Sequence, residues 1–293
     1  MARLRILAVD VGTGTQDILA FDSAATLENC PKLILPSPTL ALAQRIRRAT
    51  ATRRPILLTG VTMGGGPCHW AAEEHLRQGL AVYATPDAAR TFDDDLDKVA
   101  TWMGVRIVGE DEARHLERNV PGLERFVLRD FDFDVIIETL ARFGVSTHFD
   151  ACVVAVFDHG HAPPNVSDRR FRFEHLAAQV AAVNAARDLG AFGYLREEIP
   201  PRLTRMRAVA ASAPADLDLL VMDTAPAAVI GALDDPAVRR HAHLLIANVG
   251  NFHTLAFHLV FDGANGPVRG TFEHHTGLLD RAKLEDYLLQ LGD

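Results

Sequence analysis

The chain has 293 residues, 48% of them hydrophobic, which suffices for a sizeable core in one large domain or two lobes of ordinary size. With 30 Lys plus Arg against 38 Asp plus Glu the formal net charge is −8, so no global positive field draws it onto nucleic acid or anionic lipid, and neither is an expected partner. The apolar runs are short and broken by charge, Gly or Pro, too short to cross a bilayer, and no secretory apolar region opens the N-terminus, so the expected address is cytoplasmic.

Two strand-like runs, Leu4 to Asp10 and Asp17 to Phe21, lie too close for a helix between them and read as a β-hairpin with a polar tip. Gly12 and Gly14 allow close backbone approach, and Thr13 and Thr15 add hydroxyls to exposed N–H groups, a tip able to cradle phosphate oxygens. Asp10, at the end of the buried strand, stands where a carboxylate holds Mg²⁺ through water. A plain hairpin uses the same residues. A helix over Leu40 to Ala49 follows, and Arg45, Arg47, Arg48, Arg53 and Arg54 read as its solvated, cation-rich end, with phosphate contact as the other reading.

The strand Ile56 to Thr59 leads through Gly64, Gly65 and Gly66 into a helix beginning near His69 with Pro67 in its first turn. That arrangement is either an anion site for a second substrate or a flexible turn. Next come a strand at Leu80 to Ala84, a helix over Ala88 to Met103 in which Asp93, Asp94, Asp95 and Asp97 form a solvated start, a strand at Arg125 to Leu128 and a helix at Asp134 to Phe143.

The strand Ala151 to Phe157 ends in Asp158, His159, Gly160 and His161, and helices over Phe173 to Leu189 and Arg202 to Ala211 follow it. Leu217 to Met222 ends in Asp223 and Thr224, with Thr224 as the expected N-cap of a helix over Ala225 to Leu233. His243 to Asn248 and Thr254 to Phe261 form a second hairpin, echoing the first, with Gly250, Asn251 and His253 in its tip. Val268 to Phe272 then ends in Glu273, His274, His275 and Thr276, before a last helix over Arg281 to Leu291. Hairpins mixed with β-α alternation argue for an α/β protein with mixed sheets.

The paired hairpins resemble the actin, Hsp70 and sugar-kinase superfamily, whose ribonuclease H-like lobes grip a nucleotide between facing tips. The resemblance implies a first phosphate loop of Asp10, Gly12, Thr13, Gly14 and Thr15 and a second of Asn248, Gly250, Asn251, His253 and Thr254. Asn248 stands where the superfamily commonly has a second acid, and an amide cannot act as a base, so binding without efficient turnover is also open. Five strings, Thr59-Gly-Val-Thr-Met-Gly-Gly-Gly-Pro67, Asp158-His-Gly-His161, Asp223-Thr224 with Ala227-Ala228, Asn248-Val-Gly-Asn251 and Glu273-His-His-Thr-Gly277, resemble one uncharacterised family labelled pyruvate formate-lyase activating enzyme, over almost the whole chain.

The duplication divides the chain into a first lobe at 1–144 and a second at 145–293. The strand-helix material ahead of the second hairpin then means that the second lobe is circularly rearranged or lacks its remaining elements. The expected ligands are ATP with Mg²⁺ and an unidentified small molecule, and a protein partner enters if the chain is a non-catalytic nucleotide sensor. As an ATPase or phosphotransferase it would use Asp10, Asp158, His159, His161 and His275 in catalysis, with Glu273, His274 and Thr276 toward the second substrate. The alternative is a metal-dependent hydrolase or lyase built on the His/Asp cluster. The three cysteines, Cys30, Cys68 and Cys152, lie too far apart in sequence for a disulfide framework or for the closely spaced thiolates of an iron-sulfur cluster, so no radical activase chemistry is expected.

Overall fold

The computed structural model describes residues 3–261 and 266–293. It begins with an antiparallel meander of β1 (Arg5–Val11), β2 (Thr15–Asp22) and β3 (Lys32–Pro36), followed by α1 (Pro38–Ala51). Ser37 caps α1, and its hydroxyl also donates to the Thr13 carbonyl, so the helix start is tied to the hairpin tip. β3 is an edge strand that leaves Ile34 71% exposed and so carries no alternating pattern by which a sequence would show it.

A four-stranded parallel sheet is inserted next. It runs β4 (Ile56–Gly60), α2 (Pro67–Arg77), β5 (Val82–Ala84), α3 (Pro86–Ala89), α4 (Leu96–Lys98), β6 (Arg106–Ile107), α5 (Glu110–Asn119) and β7 (Glu124–Leu128), in the spatial order β6-β5-β4-β7. Its core is Ile56, Leu58, Val82, Ala84, Phe126 and Leu128 against Ile46, Cys68 and Ala72 of the flanking helices. The helix expected over 88–103 is broken. Asp93 accepts from the Asp95 N–H and Asp95 from those of Asp97 and Lys98, local bonds that compete with the helical ladder and restart it at Leu96. The polar helix α5 buries only Ala113 and Leu116, too few apolar positions for a period to show.

The chain then returns to the first sheet through α6 (Phe133–Arg142), β8 (Ala151–Val156), α7 (Asp168–Ala186), β9 (Tyr194–Leu195), α8 (Thr204–Ser212), β10 (Asp218–Met222) and α9 (Thr224–Ala232). This six-stranded sheet has the order β3-β2-β1-β8-β10-β9, with β1, β8 and β10 parallel. The expected division at residue 144 therefore does not separate the sheets, because β8 pairs along β1 from Ile6 opposite Ala151 to Val11 opposite Val156. The strand-helix material ahead of the second hairpin belongs to the first sheet, which removes the need for a rearranged lobe.

After α10 (Pro236–Arg239) a separate antiparallel sheet, β11 (His243–Val249), β12 (His253–Val260) and β13 (Val268–His275), precedes α11 (Arg281–Gly292). Leu255, Phe257 and Leu259 of β12 pack on Leu176 and Val183 of α7 and Val229 of α9, so the two hairpin-bearing sheets share a core. Among the described residues, no helix is long and apolar enough to cross a membrane.

Candidate functional site

The two hairpins repeat each other in detail. Each joins a seven-residue strand to an eight-residue strand through a three-residue link, Gly12 to Gly14 and Gly250 to Phe252. Each link closes with the same bond: the Gly12 N–H donates to the Thr15 carbonyl and the Gly250 N–H to the His253 carbonyl, both at 3.0 Å. A Cβ at Gly250 would come within 2.9 Å of the carbonyl that accepts this bond, and one at Gly12 within 3.0 Å, so the tight approach favours glycine at both. The tips also meet, since a methyl group at Gly14 would overlap the Asn251 amide, and Gly66 packs near Phe252 and Thr13.

Between the tips and the inserted sheet lies a cavity of about 880 Å³, the size of a cofactor site. Asp10, Gly12, Thr13, Thr15, Gly64, Gly65, Gly66, His159, His161, Asn248, Gly250, Asn251 and His253 line it. Gly14 does not; its place is the contact with the opposite tip. Thr254 is fully buried, and its hydroxyl pairs with that of Thr276 at 3.0 Å, which donates in turn to the Gly250 carbonyl at 2.8 Å. Both threonines thus support the second tip from behind, and the phosphate and substrate roles expected of them are corrected accordingly.

The Gly64-Gly65-Gly66 turn is a packed joint. Gly66 caps α2 at φ 62° and ψ −112°, a conformation open to glycine. The Gly64 N–H is already taken by both carboxylate oxygens of Asp130 at 3.1 Å, so it is not the free donor expected of an anion site. Asp130, 2% exposed, also receives Arg205 Nε at 2.6 Å and Nη2 at 3.1 Å, while Arg205 Nη1 donates to the Phe157 carbonyl at 2.7 Å. This pair bolts the inserted sheet to the end of β8.

Asp10 Oδ1 accepts from the Thr224 hydroxyl at 2.9 Å. Burial raises the Asp10 carboxyl above its ordinary range; the Thr224 bond opposes the rise and the neighbouring Asp17 and Asp223 add to it. Thr224 is not the cap of α9: Asp223 is, accepting from the Ala225 N–H, which leaves Thr224 at the first helical position and free to reach Asp10. Asp10, Thr13, Thr15 and Asn248 offer a carboxylate, hydroxyls and an amide, an all-oxygen donor set that suits a hard cation keeping part of its water shell.

Asp158 reaches the cavity wall, but both its oxygens serve backbone, Oδ1 accepting from Gly160 at 2.8 Å and Oδ2 from Met206 at 2.9 Å, and burial raises its carboxyl. A structural cap replaces the expected catalytic role. The two histidine strings do not form one cluster. His159 and His161 line the cavity, with His161 Nδ1 3.6 Å from Asp94 Oδ1. His274 stacks on Phe272 and Tyr287 away from it, and His275 accepts from the Gly277 N–H beside Phe252. Among the described residues, no group of three or more His, Cys, Asp or Glu is placed to hold a metal. The run Asp93 to Asp95, expected as solvated, lines the cavity mouth.

Glu273 is not open to a second substrate. Its side chain is 8% exposed, and its Oε2 accepts from Arg172 Nε at 3.0 Å while Oε1 lies 3.6 Å from His253 Nδ1. Arg172, 5% exposed, also donates through Nη1 to Asp223 at 2.7 Å and to the Asp158 carbonyl at 3.0 Å. Burial alone would lower the arginine, but the two carboxylates hold it above its ordinary range. Arg172, Asp130 and Arg205 carry no local signal in the sequence, and Thr224 reads there as a cap, because each acts through a partner more than forty residues away.

The thiols are dispersed and buried. Cys68 lies in the core of the inserted sheet and Cys152 in that of the six-stranded sheet, and burial pushes them up to about 11 and about 12. Cys30 is buried near Asp22.

No curated protein matches the chain. It is similar to a crystal structure of an exopolyphosphatase-like protein at 10% identity and a TM-score of 0.23, with 100% of this chain covered and 62% of that one. The chain thus spans 62% of that protein's length. The family described as "Putative pyruvate format-lyase activating enzyme (DUF1786)" matches residues 63–293, which takes in the second hairpin, and the chain belongs to that family.

Proposed function

We propose that this protein is an Mg²⁺-dependent nucleotide-binding enzyme of the actin, Hsp70 and sugar-kinase type, an ATPase or small-molecule phosphotransferase with its phosphates between the two hairpin tips. The observation that carries the reading is the repeat itself: two links of equal length, closed by the same glycine bond, meet at one side of a cavity of nucleotide size. The strand order β3-β2-β1-β8-β10, antiparallel then parallel, fits a ribonuclease H-like lobe. Thr13, Thr15, Gly12, Gly250 and Asn251 are the phosphate-holding residues in this reading, and catalysis comes from positioning and charge neutralisation. Asp10 would hold Mg²⁺, which when bound neutralises phosphate charge and orients water. A second substrate faces His159, His161 and the Asp93 to Asp95 wall.

Asn248 favours a second reading, a nucleotide sensor that binds at the same tips without turnover. The geometry does not favour metal chemistry at the histidines, since His274 and His275 lie off the cavity that His159 and His161 line.

Thermal-shift measurements with ATP, ADP and GTP, with and without Mg²⁺, test the binding. A ligand at a hundredfold its Kd stabilises by roughly 2.7 kcal/mol. An Mg²⁺-dependent rise with an adenine nucleotide is expected, and no movement with any of them would refute the reading. Protein purified anaerobically should contain no acid-labile sulfide, because Cys68 and Cys152 lie in separate cores. A stoichiometric cluster would restore the chemistry of the family's description.

A further inference from the structure

The second tip lacks a carboxylate at Asn248, yet it carries an imidazole with a built support. His253 opens β12 at the place that Thr15 holds in the first hairpin, and it lines the cavity. Its ring stacks on Phe157 at a centroid distance of 4.1 Å. Nδ1 faces Glu273, whose other oxygen is fixed by Arg172, and that guanidinium is clamped by Asp223 and stacked over the same Phe157 ring at 4.5 Å. Nδ1 lies 3.6 Å from that carboxylate, whose charge favours the proton on Nδ1, while Nε2 has no protein partner among the described residues. Arg172 leaves its Nη2 buried and unpartnered, a cost that a pair selected for stability alone would shed.

We propose that His253 accepts the proton of the attacking hydroxyl or water through Nε2, with Glu273 and Arg172 as the residues that position its ring. The inference rests on the phosphate reading above. As the acceptor oxygen forms its bond to phosphorus, the bond from phosphorus to the bridging oxygen breaks, and its electron pair stays on the departing phosphate. The acceptor's proton passes to Nε2, and Glu273 balances the imidazolium until the proton returns to solvent. This is an acid-base assignment by geometry, with the imidazole supplying what the amide of Asn248 cannot. Glu273 and His275 of β13 face the ring, and Arg172 of α7 stands behind Phe157.

Two measurements on the full chain test it. The ¹⁵N spectrum of His253 at mildly alkaline pH should show the Nδ1–H tautomer, set by Glu273; the Nε2–H tautomer would overturn the proposal without any ligand present. Phosphate release from Mg·ATP should fall about a hundredfold in kcat in His253→Gln, with KM and the nucleotide-induced melting shift retained and the acid limb of the pH profile lost. Glu273→Gln, which keeps the acceptor and removes the charge, should fall about tenfold. Wild-type turnover surviving in His253→Gln would overturn this role alone. A wild-type chain that binds no Mg-nucleotide would overturn the phosphate reading and this role with it.

Discussion

Asp10→Asn should abolish Mg²⁺-dependent turnover, at least about a hundredfold in kcat/KM, while making the metal-free protein more stable at neutral pH. The amide retains the Thr224 hydrogen bond through its oxygen and removes a charge that sits among Asp17 and Asp223. The sign follows from the raised carboxyl. Its protonated form is the one the fold favours, so its stabilisation is complete in acid, below the unfolded carboxylate range, and is lost as pH rises through the folded value. The wild type therefore carries a penalty at pH 7 that the variant lacks, and the gap should close as pH falls below about 4. Melting curves of both proteins across pH, without metal, read this directly. Asn248→Asp should be tolerated and should raise turnover if the second tip lacks only its acid. Full activity in a folded Asp10→Asn protein would make Asp10 a strand-end residue and end the phosphate-loop assignment.

Arg205→Met should cost about 3–5 kcal/mol of folding stability, because it strands the buried Asp130 carboxylate with only the Gly64 N–H for company. The double variant Arg205→Met with Asp130→Leu should recover much of that loss, since removing both charges of a buried pair costs far less than breaking it. Urea unfolding of the three proteins gives the coupling. If the single variant loses less than 1 kcal/mol, the pair is not the bolt between the inserted sheet and β8. The double variant should still bind nucleotide more weakly, because the Gly64 turn, which lines the cavity, has lost the contact that ties it to the end of β8.

How far the sequence carried this account depended on where each signal lay along the chain. The hairpins were readable because each is a local pattern, an apolar run, a glycine link and a second run, and the structure repeats that pattern bond for bond. The buried strands β1, β8 and β10 were readable as apolar runs for the same reason. Their pairing was not, because β1 and β8 are joined across 145 residues, and the inserted sheet between them carries no boundary in composition. Thr224 shows the limit at the level of one residue. Its position after a strand reads as a helix cap, and only the fold reveals that Asp223 does the capping and that the hydroxyl reaches Asp10. Glu273 was singled out for its neighbours in sequence, whereas its partners are Arg172 on α7 and His253 on the adjacent strand.

The most direct measurement of the central claim is a crystal structure of the full chain with Mg²⁺ and a non-hydrolysable ATP analogue. The account predicts the phosphates between the tips, within hydrogen-bond reach of Gly12 and Thr13 on one side and Gly250 and Asn251 on the other, with the metal beside Asp10. An analogue bound elsewhere, or a cavity left open at saturating analogue, would contradict it.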